Sequence, residues 1–139
     1  MGTSTSVNFG DREPKIAVIA AAKTVLAEET GTTFILDAAV GYAITLPALA
    51  QGLNFEFIVG ASFDTSDWVI SSSEGDNING ILLVNGASVP AVGEDNVIFE
   101  LGAESVGDYV KFIADEGNSQ WIVRGVGSLA ASMTTTDPS

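Results

Sequence analysis

Residues 32–37 read Thr-Thr-Phe-Ile-Leu-Asp, residues 43–47 read Ala-Ile-Thr-Leu-Pro, and residues 55–59 read Phe-Glu-Phe-Ile-Val. Apolar side chains recur at every second position in these three segments, as they do in strands that bury one face. Pro47 ends the second segment, because proline cannot donate a hydrogen bond within a sheet. The segments therefore predict short β-strands separated by turns.

Further strand-like runs follow along the chain, and two of the turns between them have the character of hairpins. Asn85-Gly86 separates two apolar runs, and this pair accepts the positive φ angles of a type I′ turn. Residues 115–119 separate the runs 109–114 and 120–124 in the same way. Strands recur about every ten residues, the spacing of a sandwich or jelly roll. We expect an all-β fold, a single jelly-roll-like β-sandwich with an N-terminal arm.

The chain of 139 residues has the length of one domain. Its composition predicts an N-terminal arm at residues 1–22, a sandwich at residues 23–128 and a polar tail at residues 129–139. Residues 1–8 are small and polar, so this part of the arm is expected to be flexible.

The apolar stretch from residue 16 to residue 26 has two interpretations. Alternation of Ile16 and Val18 predicts the first strand of the sandwich, although the three alanines that follow also suit a helical turn. The functional interpretation is a segment that packs on another chain by adding a strand to a sheet edge. On that basis the candidate inter-subunit or capsid contacts are Ile16, Val18, Ile19 and Val25.

The net charge of −13 argues against two classes of partner. Proteins bind phosphate backbones by neutralising them with Lys and Arg, and this chain has five such residues against eighteen Asp and Glu. We therefore expect neither nucleic acid nor an anionic membrane as a partner. The acidic excess has two interpretations, general solubility or a partner with a basic patch, and we prefer the first.

The chain contains no Cys and no His. It has no disulfide framework, and neither a Ser-His dyad nor an imidazole metal ligand is possible. The apolar residues 16–22 are too few for a membrane helix, which needs about 20, and acidic residues precede them, unlike a signal peptide. We expect a non-enzymatic protein without cofactor, made in the cytoplasm of its host.

Neighbouring carboxylates could supply the acid and the base of a glycosidase-type reaction. The pairs are Asp64 with Asp67, Glu74 with Asp76, Glu94 with Asp95, and Asp115 with Glu116. All lie in predicted turns, where Asp commonly bonds the local backbone, so we interpret them as solvated turn residues. Residues 64–67 and 74–77 are rich in oxygen ligands that calcium prefers, but neither segment has the EF-hand spacing.

Four aromatic residues could stack on sugars, as in a lectin: Trp68, Trp121, Tyr42 and Tyr109. Trp121 and Tyr109 lie inside predicted strands, where packing in the core or between subunits is the expected role. Trp68 follows Asp67 at the start of a strand, and we expect it to be the most exposed ring of the four.

The order of the strand motifs carries a family resemblance. It runs through Leu36-Asp37-Ala38-Ala39, Ala43-Ile44-Thr45-Leu46-Pro47, Gly52-Leu53-Asn54-Phe55-Glu56-Phe57-Ile58-Val59, Asp67-Trp68-Val69-Ile70, Gly107-Asp108-Tyr109-Val110 and Gln120-Trp121-Ile122-Val123. Over residues 23–125 this series resembles small structural proteins of tailed phages, including head decoration, or cement, proteins.

The resemblance implies a function and a location. It implies a homotrimer on the outer surface of the capsid, where it binds the major capsid protein and stabilises the lattice of the virion. Residues 1–22 match no part of that family, and they are where a capsid-gripping arm would lie. The alternative interpretations are a tail fibre, spike or lectin-like module that recognises a cell surface, and a carboxylate hydrolase.

Overall fold

The computed structural model describes residues 15–138. The expectations for residues 1–14, including the flexible part of the arm, and for Ser139 lie outside the described residues. The described strands are β1 (Lys15–Ile19), β2 (Lys23–Thr24), β3 (Thr32–Leu36), β4 (Ala43–Thr45), β5 (Asn54–Val59), β6 (Trp68–Ser71), β7 (Ile78–Val84), β8 (Ala87–Glu94), β9 (Asn96–Phe99), β10 (Tyr109–Asp115), β11 (Gln120–Gly127) and β12 (Met133–Thr136). The helices of this range are the short 3-10 turns Ala27–Glu29 and Glu116–Asn118, and none is long and apolar enough to cross a bilayer.

The strands form two sheets that pack face to face. One sheet has seven strands in the order β1-β3-β5-β10-β11-β7-β8, and the other has five in the order β12-β9-β6-β4-β2. One hydrophobic core of buried side chains from both sheets fills the space between them. The prediction of an all-β sandwich is confirmed.

The first six strands wind as a coil between the two sheets. Odd-numbered strands β1, β3 and β5 pair in parallel in the larger sheet, and even-numbered strands β2, β4 and β6 pair in parallel in the smaller one. A jelly roll is built from antiparallel strands, so this connectivity differs from the jelly-roll-like detail of the prediction. Alternation of apolar and polar residues indicates a strand but does not reveal the direction of its neighbour.

The second half of the chain is dominated by hairpins. β7 and β8 join through Asn85 and Gly86, whose φ angles of 53° and 78° confirm the predicted turn with two positive φ values. β10 and β11 form the second predicted hairpin around Glu116–Asn118. β11 then pairs in parallel with β7, which joins both hairpins into one sheet.

Aromatic rings fill the centre of the core. Phe112 lies edge-on to Phe57 with ring centroids 5.8 Å apart, and edge-on to Trp121 at 6.3 Å. Phe34 stacks on Phe57 at 5.3 Å. Edge-to-face and offset arrangements within about 4.5–7 Å are the favourable geometries of aromatic pairs, so this cluster holds β3, β5, β10 and β11 together.

The sandwich extends beyond the boundaries expected from composition. β1 pairs with β3 and β12 pairs with β9, so residues 15–19 and 133–136 belong to the sheets. The predicted arm (1–22) and the predicted polar tail (129–139) therefore each include a strand of the sandwich. The cause is that backbone pairing and one buried side chain, Met133 with 1% exposure, secure a polar segment that composition alone assigns to a tail.

Candidate interaction surface

Strand β1 lies at one end of the seven-stranded sheet and pairs with β3 alone among the described residues. The carbonyl of Ile19 accepts a hydrogen bond from the N–H of Asp37 at 2.9 Å, so Ile19 bonds toward β3. Backbone groups of successive strand residues point to opposite sides. The N–H and C=O groups of Ile16 and Val18 therefore point away from β3, toward the open edge.

The other three sheet edges are shorter or interrupted. β2 has two residues and β12 has four. β8 carries Pro90, and its pairing with β7 is shifted between Ile78 and Gly80. Proline and bulges are features that protect an edge from pairing with another strand. β1 is thus the longest regular edge in the described part of the chain.

The four contact residues predicted from the sequence divide into two groups. Ile16 and Val18 are 68% and 62% exposed, and both lie on the outer face of β1. Ile19 and Val25 are 5% and 1% exposed and belong to the core. The latter two therefore pack inside the protomer, and the contact hypothesis continues for Ile16 and Val18.

The outer face of the seven-stranded sheet carries an unbroken apolar row across six strands. Its members are direct cross-strand neighbours: Val18, Ile35, Ile58, Tyr109, Val126 and Leu83. A sheet face in water usually carries polar side chains. Val126 and Leu83 are 39% and 46% exposed, and with Tyr109 they border a groove of about 240 Å³. Such a continuous exposed apolar patch is typical of an interaction site.

A second row, the charged row, runs beside the apolar row on the same face. It consists of Ile16, Thr33, Glu56, Lys111, Arg124 and Ile81, again as direct cross-strand neighbours. Lys111 and Arg124 are two of the five basic residues of the chain. The centre of this face is therefore locally less acidic than the protein as a whole.

Most of the carboxylates considered for catalysis bind backbone or amide groups of nearby loops. Asp67 accepts a hydrogen bond from the N–H of Leu101, Glu74 from Leu49, Asp95 from Asp76 and Glu116 from Gln51. The side-chain hydrogen bond from Gln120, with a second from Asn118, lowers the pKa of Asp115. Four of these hydrogen bonds join segments that are distant in the sequence, whereas the sequence analysis predicts solvated turn residues that bond the local backbone.

Carboxylate oxygens of Asp76, Asp95 and Asp137 lie within 4.8 Å of one another. This grouping combines one residue from each of two predicted acid pairs with a residue of the tail. Three carboxylates are fewer ligands than the about six to eight oxygens that calcium takes. The grouping is an acidic cluster at the surface.

Asp108 is a structural carboxylate that the sequence analysis did not single out. It is 4% exposed and accepts hydrogen bonds from the N–H of Ser105 and from both the N–H and the hydroxyl of Ser128. It ties the loop before β10 to the end of β11. The sequence signal for this role is its position between Gly107 and Tyr109, where a turn leads into a predicted strand.

Two of the four aromatic residues considered for sugar binding are internal. Trp68 and Trp121 are both fully buried, so the expectation that Trp68 is the most exposed ring is wrong. Trp68 begins β6 on its inward face and packs edge-on against Tyr42 at 5.6 Å. Tyr42 and Tyr109 are partly exposed.

Comparison with known proteins adds no assignment to this geometry. No family model, no curated protein and no solved structure matches the chain.

Proposed function

We propose that this protein is a structural component of a virus particle, a decoration protein that binds the outside of a phage head and stabilises it. The proposal begins from the sequence resemblance. The observation that carries it in the structure is the open edge of β1, where the backbone groups of Ile16 and Val18 are directed outward. An extended segment of the major capsid protein would add to this edge as a further strand.

Attachment of this kind stabilises the particle by mass action. A protein that binds the assembled lattice but not its dissociated subunits contributes RT ln(1 + [L]/Kd), about 2.7 kcal/mol per site at a hundredfold excess over Kd. Several linked copies that bridge neighbouring subunits add avidity through effective concentration. The resemblance implies that the linked unit is a homotrimer. Nucleic acid and anionic membranes lie outside the proposal because the net charge of −13 repels them.

The charge distribution supports contact through an edge rather than through a broad charged surface. Lys15, at the start of β1, directs its ammonium group to the carbonyl oxygens of Glu28 and Thr30 at 3.4 and 3.2 Å. The Lys15 side chain therefore does not cover the outward backbone groups of Ile16 and Val18. Main-chain hydrogen bonds from these two residues would supply the affinity.

The alternative of a fibre, spike or lectin-like module draws less support. Burial of Trp68 and Trp121 removes the two largest rings from any sugar-stacking surface. Tyr42 precedes β4 and packs against Trp68 of the five-stranded sheet, whereas Tyr109 begins β10 in the seven-stranded sheet, so the two rings do not form one platform.

The test is the copy number of this protein relative to the major capsid protein in purified particles, measured by quantitative mass spectrometry. We expect one copy per capsid subunit or a simple fraction of that ratio. A handful of copies per particle would assign the protein to the tail or a fibre. Its absence from particles would refute the proposal.

A further inference from the structure

We propose that two copies of this chain pair face to face through the outer faces of their seven-stranded sheets. The inference rests on the apolar row and the charged row alone. It does not depend on attachment to a capsid: it uses side chains on the outer face of the sheet, whereas the proposed strand addition uses the outward backbone groups of Ile16 and Val18 at the edge.

The two rows are complementary to themselves under one particular twofold axis. This axis is parallel to the strands. It lies in the plane between the facing seven-stranded sheets of the two copies, and it passes midway between β5 and β10. It places β10 over the partner's β5, β11 over β3 and β7 over β1, as the strand order dictates. Each row then meets its own counterpart in reverse order, because rotation about this axis preserves position along the strands.

The apolar row meets itself without a polar interruption. Tyr109 faces Ile58 of the second copy, Val126 faces Ile35, and Leu83 faces Val18. Leu83, Tyr109 and Val126 also border the groove on this face. Contacts between apolar and aromatic side chains are what the buried centre of a protein interface contains.

The charged row also meets itself favourably. Lys111 faces Glu56 of the second copy, and the same contact recurs on the other side of the axis. Arg124 faces Thr33, and Ile81 faces Ile16. A twofold axis placed over β10 would instead set Lys111 against Lys111, and one over β5 would set Glu56 against Glu56. Like charges in contact oppose pairing, so the axis between β5 and β10 is selected.

The dimensions are sufficient for a specific pair. The six strands that overlap lie about 4.8 Å apart and make a face about 24 Å wide, and strands of about six residues make it about 21 Å high. This footprint of about 500 Å² on each partner, about 1,000 Å² in total, is at the lower end of specific interfaces. Two aligned sheets pack about 10 Å apart with strand directions within about 30°, which keeps the central contacts together.

Mass in solution tests the pairing first. Sedimentation equilibrium on the full chain is expected to give the mass of two chains of 14.3 kDa, or of a larger even number of chains. A monomer at every concentration would overturn the inference. A mass of three chains, the homotrimer that the family resemblance implies, would overturn it as well, whereas a mass of six chains would fit a pair of such trimers.

Charge reversal tests the axis. Glu56→Lys alone and Lys111→Glu alone each bring like charges together and are expected to raise the dimer Kd about a hundredfold. An equimolar mixture of these two variants brings opposite charges together at both contacts, so heterodimers should form. Because each chain keeps its own internal contacts on mixing, recovery in the mixture reports contact between chains. No recovery would contradict this axis.

A matched pair of apolar variants tests the boundary of the interface. Val126→Glu and Leu83→Glu are each expected to raise the dimer Kd at least about tenfold, because each buries a charge without a partner. Val92→Glu is the control: Val92 is 75% exposed on β8, which has no strand opposite it in the pair. Dissociation by the control alone, or by none of the three, would overturn the inference. Circular dichroism confirms the fold of each variant.

Discussion

Lys111 and Arg124 lie directly opposite each other on β10 and β11, at the centre of the outer face of the seven-stranded sheet. Both are exposed. Like charges that face each other across strands destabilise a sheet. In a chain with five basic residues, this arrangement places two of them where they repel within the protomer and where an acidic group of a partner would be favoured.

Replacing Arg124 with Gln should stabilise the isolated protomer. Loss of the repulsion with Lys111 is expected to raise the free energy of unfolding by about 0.2–1 kcal/mol. The gain should shrink as salt screens the two charges. Urea unfolding at low and high ionic strength measures it. Arg124→Lys keeps the charge and serves as the control, so an equal gain in that variant would exclude repulsion as the cause.

Val18→Pro should prevent strand addition while preserving the fold. Its N–H points to the open edge and is not needed for pairing with β3, and proline is tolerated on such an edge. Binding to particles is expected to be lost with little change in melting temperature. Val18→Ala keeps the N–H and loses the side chain, so it should still bind. Ala17→Pro removes a bond to β3 and should unfold the edge. Retained binding by Val18→Pro would exclude addition at β1.

Gly80→Ala should be strongly destabilising. A Cβ at Gly80 would lie 2.1 Å from the carbonyl oxygen of Val123, and its φ of 150° is a conformation that side chains rarely adopt. We expect a cost of more than about 3 kcal/mol, in the range of severe backbone strain. Gly86→Ala is the control. The φ of Gly86, 78°, is also positive, but a Cβ added there would have no atom within 4 Å beyond its neighbours in the chain. It should cost about 1–2 kcal/mol. Equal costs would show that the contact with Val123 is relieved.

Asp108→Ala should destabilise the fold through lost hydrogen bonds. The N–H of Ser105 and the N–H and hydroxyl of Ser128 lose a charged acceptor. Ser128 is exposed and Ser105 is half-buried, so water replaces part of what these donors lose. We expect a total cost of about 2–4 kcal/mol by urea unfolding, since a hydrogen bond to a charged group contributes about 1.5–3 kcal/mol. Asp37 is exposed, and Asp37→Ala should change stability by less than about 0.5 kcal/mol. A comparable loss of unfolding free energy in both variants would show that the hydrogen bonds of Asp108 do not stabilise the fold.

Glu29 should give stability that is lost in acid. Burial raises its pKa, but the hydrogen bond from the N–H of Leu26 and the Lys23 ammonium 3.0 Å away lower it more, so its pKa in the folded protein lies below its ordinary value. The carboxylate therefore contributes above the ordinary pKa of about 4.3, and the contribution disappears as pH falls through the folded value. Glu29→Gln should cost about 0.5–1 kcal/mol at pH 7.

The same variant should match the wild type once the carboxyl group is protonated. Urea unfolding of both proteins from pH 7 to pH 2 measures the difference. A gap that stays constant across this range would mean that the ion pair with Lys23 contributes nothing. Glu28→Gln, on the neighbouring exposed residue, is the control.

Local sequence signals predicted the parts of the fold that local physics decides. The alternation in residues 32–36 and 54–59 indicated β3 and β5, and Asn85-Gly86 indicated a hairpin because that pair adopts positive φ angles readily. The parallel winding of β1 to β6 was not predicted, since a strand's own pattern is the same whichever neighbour it pairs with. Trp68 was placed outside because it follows an aspartate, whereas its place on the inner face of β6 decides its burial.

The candidate surface was only partly accessible to sequence reasoning. Ile16 and Val18 were identified because they stand in a short apolar stretch, and Ile19 and Val25 were included with them for the same reason. Separating the two groups requires knowing which side of β1 faces the core. The apolar row could not be predicted, because its neighbouring members come from positions as distant as Val18 and Val126, and register between distant strands is not written in any local pattern.

The coil of the first six strands also determines at which stage of folding the apolar row forms. Parallel pairing closes long loops and forms slowly, whereas the hairpins β7–β8 and β10–β11 form locally. The apolar row draws on strands from both groups, so a newly made chain has no such row until its most distant strands have docked. A partner that recognises the row can therefore bind only finished molecules, and assembly follows folding without a separate checkpoint.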